Sequence, residues 1–478
     1  MKAHGDKQIW FVAGTLALYG PESHAAVCRQ SVEVVEQLNA AEEISVSIVW
    51  KAALSDSESI RRLFLEANAD DDCIGVIAWM HTFSPAKLWI AGLKVLQKPL
   101  LHLHTQYNLE LPFATIDQPF MNLNQSAHGD REFSYMLTRM GINRKIVTGH
   151  VSSPRVTREI GTWGRAAVGV DEMARLTIGQ FGDNMRGVGD TDGDKVGLQL
   201  AFGTTVDAYS PAELTAYVDA VTPDEVSALL AEYGDRYDIA PALLPGGDRH
   251  EYLVDAARQE AGILRFLQEY RLGAWVSNFM DMPGMRQLPG FAAQRLMAAG
   301  YGYGPEGDWK TPMLIRAAKV MGRGLPGGSS LIEDYTFHLV EGQEGLLGSH
   351  MIELCESLTT RRPRIDIDQL TFIHGRESTV RLVFDADAAP AASLVSIVDL
   401  GGRFRLVANV VDIVDTDEPC VQLPSARAYW RPRPDFHTAM REWLAFGGGH
   451  HEVLTTSVEM AVFQDLAQIL GVELCLTE

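Results

Sequence analysis

Cysteine is scarce in this chain: Cys28, Cys73, Cys355, Cys420 and Cys475 are the only five in 478 residues. Their number is odd, their spacing is wide and no CxxC pair occurs, which argues against a disulfide framework and a thiolate zinc site. Long apolar runs are also missing, since no uninterrupted hydrophobic segment approaches the roughly 20 residues of a membrane span. The apolar stretch 9–13 behind the polar residues 1–7 is too brief for a secretory core. A cytoplasmic protein is expected. Positive charge is in deficit, with 41 Lys and Arg against 62 Asp and Glu and a formal net charge of −21. Such a surface repels phosphate backbones and anionic lipid, so nucleic-acid and membrane partners are disfavoured.

What is present is ordinary folded-protein composition, 46% hydrophobic and 22% charged. The length exceeds that at which one hydrophobic core stops growing, so two to three domains are expected. Short β-rich runs at 9–13, 45–50, 74–79, 100–104 and 145–150 alternate with helical periodicity at 25–38 and 57–67. That alternation is the pattern of βαβ units and predicts a doubly wound parallel sheet. Ligands of such sheets gather at the carboxyl ends of the strands, which draws attention to the loops 14–22, 81–87 and 104–108. A second α/β region starts near Leu176, with strands at 176–178 and 274–279 and helices at 211–218, 223–233 and 251–270. Beyond the Gly-rich stretch 322–330 the character changes to β-branched runs at 335–340, 379–384, 393–400 and 404–411. The third region therefore reads as antiparallel β, a barrel or a sandwich.

Several motifs weaken on inspection. Gly302, Gly304 and Gly307 have the GxGxxG spacing of dinucleotide loops, but the preceding segment 291–300 is helical, so the strand context is missing. Those glycines instead let backbone pack closely around Glu306. Asp190, Asp192 and Asp194 imitate the start of a calcium loop, yet Lys195 and Ala201 stand where Gly and a bidentate Glu are needed. Asn124-Gln125-Ser126 fits a glycosylation sequon by chance, since no export signal is read.

Four residues keep their interest: Glu306, Glu333, His350 and one of the pair His450/His451, all in Gly-rich, loop-like surroundings. Two carboxylates and two imidazoles suit a hard to borderline divalent cation and leave positions open for adjacent oxygens of a polyol or hydroxycarbonyl. Singly, each has a simpler account: Glu306 and Asp308 before a helix dipole, Glu333 in a solvated loop, the histidines as structural imidazoles. Their joint occurrence argues otherwise. The run Gly447-Gly448-Gly449 before His450 is entropically costly unless backbone must turn sharply or approach a ligand.

Seven stretches make the chain recognisable: LYGPE (18–22), HTFSPAK (81–87), FMNLNQ (120–125), GPEGDWKT (304–311), EDYT (333–336), GSHM (348–351) and GHH (449–451). Together they resemble the L-arabinose isomerase family over nearly the whole length. The resemblance implies two α/β domains followed by a C-terminal β-barrel, divided at 1–175, 176–328 and 329–478. It implies a homo-oligomer, a hexamer with sites shared between subunits, acting on a small sugar. By the same resemblance Glu306, Glu333, His350 and His451 match ligands of manganese, with cobalt or magnesium as substitutes. Gln125, His128, Met185, Phe279 and His450 fall at the sugar pocket, into which the segment carrying Leu16 and Leu18 reaches. Glu306 and Glu333 are then the groups that move protons in aldose–ketose isomerisation.

One departure bears on specificity: Leu16-Ala17 stands where the family pattern has a polar Gln-His pair. A lost hydrogen bond to a buried hydroxyl is worth about 1–3 kcal/mol, enough to redirect sugar choice without erasing the chemistry. Competing expectations are an isomerase of another aldose, of L-fucose or D-galactose type, and a sugar-binding protein that has lost catalysis. A nicotinamide oxidoreductase lacks a phosphate loop after the first strand.

Overall fold

The computed structural model describes residues 2–368, 377–416 and 419–477. The chain divides into two compact units, one running to Asp171 and including Ala461–Gly471, the other running from Glu172 to Met460 and resuming at Val472.

In the first unit the strands β1 (His4–Gly14), β2 (Val46–Leu54), β3 (Cys73–Met80), β4 (Leu100–His104) and β5 (Lys145–Thr148) form one sheet in the order β2-β1-β3-β4-β5. Every neighbouring pair is parallel. The central strand β3 is buried along its whole length, as expected where helices cover both faces of a sheet. All five runs expected from the sequence are strands here, and the expected helices lie inside the observed Gly20–Ala40 and Ser57–Ala69. Strand order reverses at β1 and β3, so the crevice of such a sheet opens beyond their carboxyl ends, where Leu16 and His81 follow.

The second unit carries β6 (Thr177–Phe181), β7 (Thr205–Tyr209), the two-residue β8 (Asp238–Ile239), β9 (Ala274–Ser277) and β10 (Gly302–Gly304). A second parallel sheet runs β10-β9-β6-β7. The sequence reading missed β7, β10 and the helix Lys195–Phe202. The glycine spacing at 302–307 therefore does begin on a strand, contrary to expectation. It is nevertheless packed tight: a Cβ on Gly302 would lie 2.1 Å from the carbonyl oxygen of Pro312. These glycines seat β10 against the helix Lys310–Met321.

The same unit continues with β11 (Ser329–His338), β12 (Gly345–Ser349), β13 (Arg364–Asp368), β14 (Thr379–Val383), β15 (Ala389–Asp399), β16 (Phe404–Ile413), β17 (Arg427–Pro432), β18 (His451–Thr455) and β19 (Glu473–Leu476). Six of them run β15-β18-β11-β12-β17-β16, and pairing of β16 with β15 closes the ring. The result is an antiparallel barrel, with β19 added parallel to β16 and a side sheet β14-β13-β8. Closure leaves the six strands without free edges. One apolar cluster joins Phe291 from the α/β part to Leu346, Val407, Trp430 and Leu454 of the barrel. The α/β part and the barrel of this unit thus share a core, which fixes loops of one against strand ends of the other. Among the described residues no helix is long and apolar enough to cross a membrane.

Candidate active site

The parallel sheet of the second unit delivers one half of the site. Residues 182–185 leave β6, 278–279 leave β9 and 305–308 leave β10, all at carboxyl ends. Glu306 adopts φ +57°, a left-handed backbone that costs a non-glycine residue on the order of 1–3 kcal/mol. Gly307 beside it has φ +81°, and a Cβ there would stand 2.4 Å from the Cα of Asn184. Glycine is required at that point. The turn is pinned by the Gly307 N–H donating to the Ser277 carbonyl at 3.0 Å and the Met185 N–H donating to the Glu306 carbonyl at 2.9 Å. Phe279 packs half-buried beside Leu288 and Ile352.

The barrel delivers the other half. Glu333 on β11 pairs with Ser349 of β12 on one side and with His451 of β18 on the other. Directly opposed residues share a face of the sheet, so three strands distant in sequence bring Glu333 and His451 into one row, with His350 following Ser349. The helix Phe436–Phe446 ends on Gly447 with φ +82°, and Gly448 lies where a Cβ would meet Trp443 Nε1 at 2.3 Å. Sharp turning and close packing account for the glycine run before the two histidines.

Glu306, His450 and His451 each offer a ligand atom within 4.8 Å of the others. His450 Nε2 is 3.6 Å from Glu306 Oε2, and its Nδ1 is 2.6 Å from Asp190 Oδ2. The rings of His350 and His451 lie 5.4 Å apart. Both are buried, and each has one nitrogen held by a carboxylate: His350 Nδ1 by Glu353 at 2.6 Å, His451 Nδ1 by Asp308 at 3.1 Å. The remaining nitrogen of each, Nε2, is buried without a hydrogen-bond partner. A carboxylate on one imidazole nitrogen and nothing on the other is the arrangement of a metal-ligating histidine, because the outer partner fixes the tautomer and turns the ring. Orphaned buried nitrogens otherwise carry a desolvation cost. The donor set fits a divalent cation.

The charges are correspondingly tuned. Burial pushes the Glu306 carboxyl up, but the His450 hydrogen bond and the charges of His451 and His350 outweigh it and hold it below its ordinary value. His450 is raised to about 10, first by its bond to Asp190 and then by Glu306. Asp308 is fully buried, which works against its charge, yet Lys310, His451 and Thr311 keep it ionised. Its carboxylate also accepts the Lys310 N–H at 2.9 Å, so it serves the helix start as well as His451. Glu452, fully buried next to His451, is pushed well up by burial and by the charges of Asp334 and Glu333.

Of the residues expected from the sequence, Glu306, Glu333, His350, His450, His451, Met185 and Phe279 lie in the second unit. Leu16, Leu18, Gln125 and His128 belong to the first. There Leu16 is half-buried, Leu18 is 83% exposed, and the Tyr19 hydroxyl donates to Gln125 Oε1 at 2.8 Å. His128 is exposed against the ring of Phe83, 4.7 Å away. Sequence reasoning missed Glu353 and Asp190 as partners. A His-x-x-Glu spacing at 350–353 was available as a signal. In sequence Asp190 only opens an imitation of a calcium loop, while Asp194 of the same run caps the helix Lys195–Phe202.

Three family models match consecutive parts of the chain: the N-terminal domain of L-arabinose isomerase over 3–175, its central domain over 177–324 and its C-terminal domain over 328–473. An L-arabinose isomerase of Clavibacter sepedonicus is 55% identical over 467 residues, covering 98% of this chain and 92% of the relative. One of Arthrobacter sp. (strain FB24) is 54% identical with 98% and 91% covered, and one of Geobacillus stearothermophilus is 46% identical with 98% and 93% covered. With matches of this depth along nearly its full length, the chain belongs to the L-arabinose isomerase family, which interconverts an aldose and a ketose.

Proposed function

We propose that the protein converts L-arabinose to L-ribulose through an enediol, with Glu306 and Glu333 as the proton-moving groups. The observation that carries this reading is a pair of buried, carboxylate-held imidazoles, His350 and His451, each with its Nε2 unpartnered, together with the convergence of His451 and His450 on Glu306. A bound divalent ion, manganese by family resemblance, would supply Lewis-acid polarisation of neighbouring sugar oxygens, with Glu306, Glu333, His350 and His451 as the residues to hold it.

The chain's own residues carry the protons. Glu306, kept ionised by its histidine neighbours, takes the proton from C2. The C–H electron pair becomes the C1=C2 bond and the carbonyl pair moves onto O1. Glu333 transfers the proton of the O2 hydroxyl to O1, C2=O forms, and Glu306 returns its proton to C1. His450, charged through Asp190 and Glu306, donates toward the sugar oxygens. Gln125, His128, Met185, Phe279, Leu16 and Leu18 complete the substrate-binding set of this reading. Glu306→Gln is the test: with manganese kept saturating, loss of a general base lowers kcat by about 10²–10⁴-fold. Activity within a few fold of the parent refutes the role. Deuterium from solvent at C1 of the product supports the enediol route, and its absence favours a hydride shift.

Leu16 favours a second reading, an isomerase of another aldose of L-fucose or D-galactose type. A panel of aldoses decides between them, and Leu16→Gln is expected to move the preference by about tenfold, the equivalent of one hydrogen bond. Family membership also supports a cytoplasmic homo-oligomer, a hexamer, with domains at 1–175, 176–328 and 329–478. Light scattering of the metal-loaded enzyme tests the subunit number.

A further inference from the structure

We propose that a cavity in the first unit, at the amino ends of β4 and β5, binds a small organic phosphate, with the phosphate on its cations and the organic body on its apolar wall. The cavity measures about 300 Å³, at the lower end of the volumes, about 300–1,000 Å³, that small-molecule sites occupy. Lys98, Arg144 and Lys145 line it, and no Asp or Glu does.

The partners of these cations leave charge to spare. Lys145 is neutralised by Asp465 at 2.6 Å. Lys98 Nζ donates to the backbone carbonyl of Asp70 at 3.2 Å. Arg144 donates to the carbonyl of Ile142, to the carbonyl and hydroxyl of Ser134 and to the hydroxyl of Thr138, all neutral acceptors. Its Nε is buried with no partner. Lys98 and Arg144 therefore line the cavity without a carboxylate partner among the described residues, which suits a dianion better than a monoanion. Tying down the end of the helix Ser126–Arg139 accounts for part of Arg144, but it explains neither Lys98 nor the orphaned Nε. Leu96, Ile142 and Val170 supply an apolar wall beside the charges, and Gln97 and Asn143 supply amides. An inorganic ion would leave that wall unused. The position lies at the opposite edge of the sheet from Leu16 and His81, which leave the carboxyl ends. It is a separate site from the crevice of the same fold.

Calorimetry on the full-length, metal-loaded enzyme at fixed ionic strength tests this, with phenyl phosphate, phenol and inorganic phosphate as probes. Phenyl phosphate is expected to bind saturably, with inorganic phosphate at least about tenfold weaker and phenol giving no heat, since charge-assisted bonds to phosphate dominate such sites. Lys98→Gln and Arg144→Gln are each expected to weaken phenyl phosphate by about tenfold or more while isomerase kcat stays unchanged. Lys98→Gln is the safer variant, because Lys98 makes a single backbone bond and its loss should leave the melting temperature near that of the parent. The proposal falls if phenyl phosphate gives no binding, if phenol or inorganic phosphate binds as tightly, or if affinity survives the Lys98 substitution.

Discussion

The two units each hold a pair of histidines tied to carboxylates, and the wiring is opposite. In the first unit His102 Nε2 and His104 Nδ1 converge on a single acid, Asp130, at 2.9 and 2.8 Å, and the Met80 N–H reaches the same carboxylate at 3.1 Å. The acid is the hub. In the second unit His350 and His451 have separate acids, Glu353 and Asp308, their rings lie 5.4 Å apart, and His451 clusters with Glu306 and His450. His102 also keeps a buried unpartnered nitrogen, but it is not part of a converging group of ligand atoms among the described residues. Among the described residues, only Glu306, His450 and His451 offer three converging ligand atoms. Residue type is the same in both places. What separates a structural knot from a site able to hold an ion is which nitrogen is occupied and what the other one faces.

The sharpest way to break this contrast is to remove the outer acids of the second unit. Asp308→Asn and Glu353→Gln leave the imidazoles in place but loosen their orientation, and each is expected to weaken manganese binding about 10–100-fold by calorimetry. An unchanged affinity would mean that these carboxylates only fill space. The matching change in the first unit is Asp130→Asn, which removes charge-assisted bonds to the buried ring of His102 and the partly exposed ring of His104. It is expected to destabilise the unit by about 1–3 kcal/mol in denaturant unfolding with manganese affinity untouched. A loss of metal binding there would dissolve the distinction.

The smallest expected effect concerns pH. His450 titrates near 6.5 when free and is raised to about 10 in the fold, first by Asp190. Its contribution to stability is therefore full below about pH 6.5 and is lost as pH rises through about 10. Asp190 runs the other way: burial works against its charge, His450 overrides this and lowers it to about 2, so its share is lost only as pH falls from its ordinary 3.8 through that value. In chelated protein the difference in melting temperature between the parent and His450→Gln should shrink between about pH 6.5 and 10. A constant difference would place His450 outside the electrostatic coupling.

Much of this was legible before any coordinates. The parallel strands of the first unit are runs such as Cys73–Met80, apolar throughout because both faces are covered, and such runs announce themselves. The triple glycine at 447–449 and the glycines around Glu306 marked the site because glycine is retained where backbone must turn or approach closely. Short strands escaped. β10 is three residues and β8 two, too few for periodicity to register. β7 is half exposed and carries Asp207, so it does not read as an apolar run.

The sequence by itself determined the alternation of strands and helices and the change to antiparallel β near Ser329, because each is written in local pattern; it offered Glu306, Glu333, His350 and His451 as candidates in loops, whereas Glu333 lies on β11 and His451 begins β18. Tertiary structure alone decided that β11 lies between β12 and β18, so that Glu333 faces His451, and that Asp308 and Glu353 each take one histidine nitrogen and leave the other free. Glu353 stands only three residues from its histidine, whereas Asp308 and His451 are separated by 143 positions. No local signal spans that distance, since the pairing is set by how the barrel closes and by the core it shares with the parallel sheet.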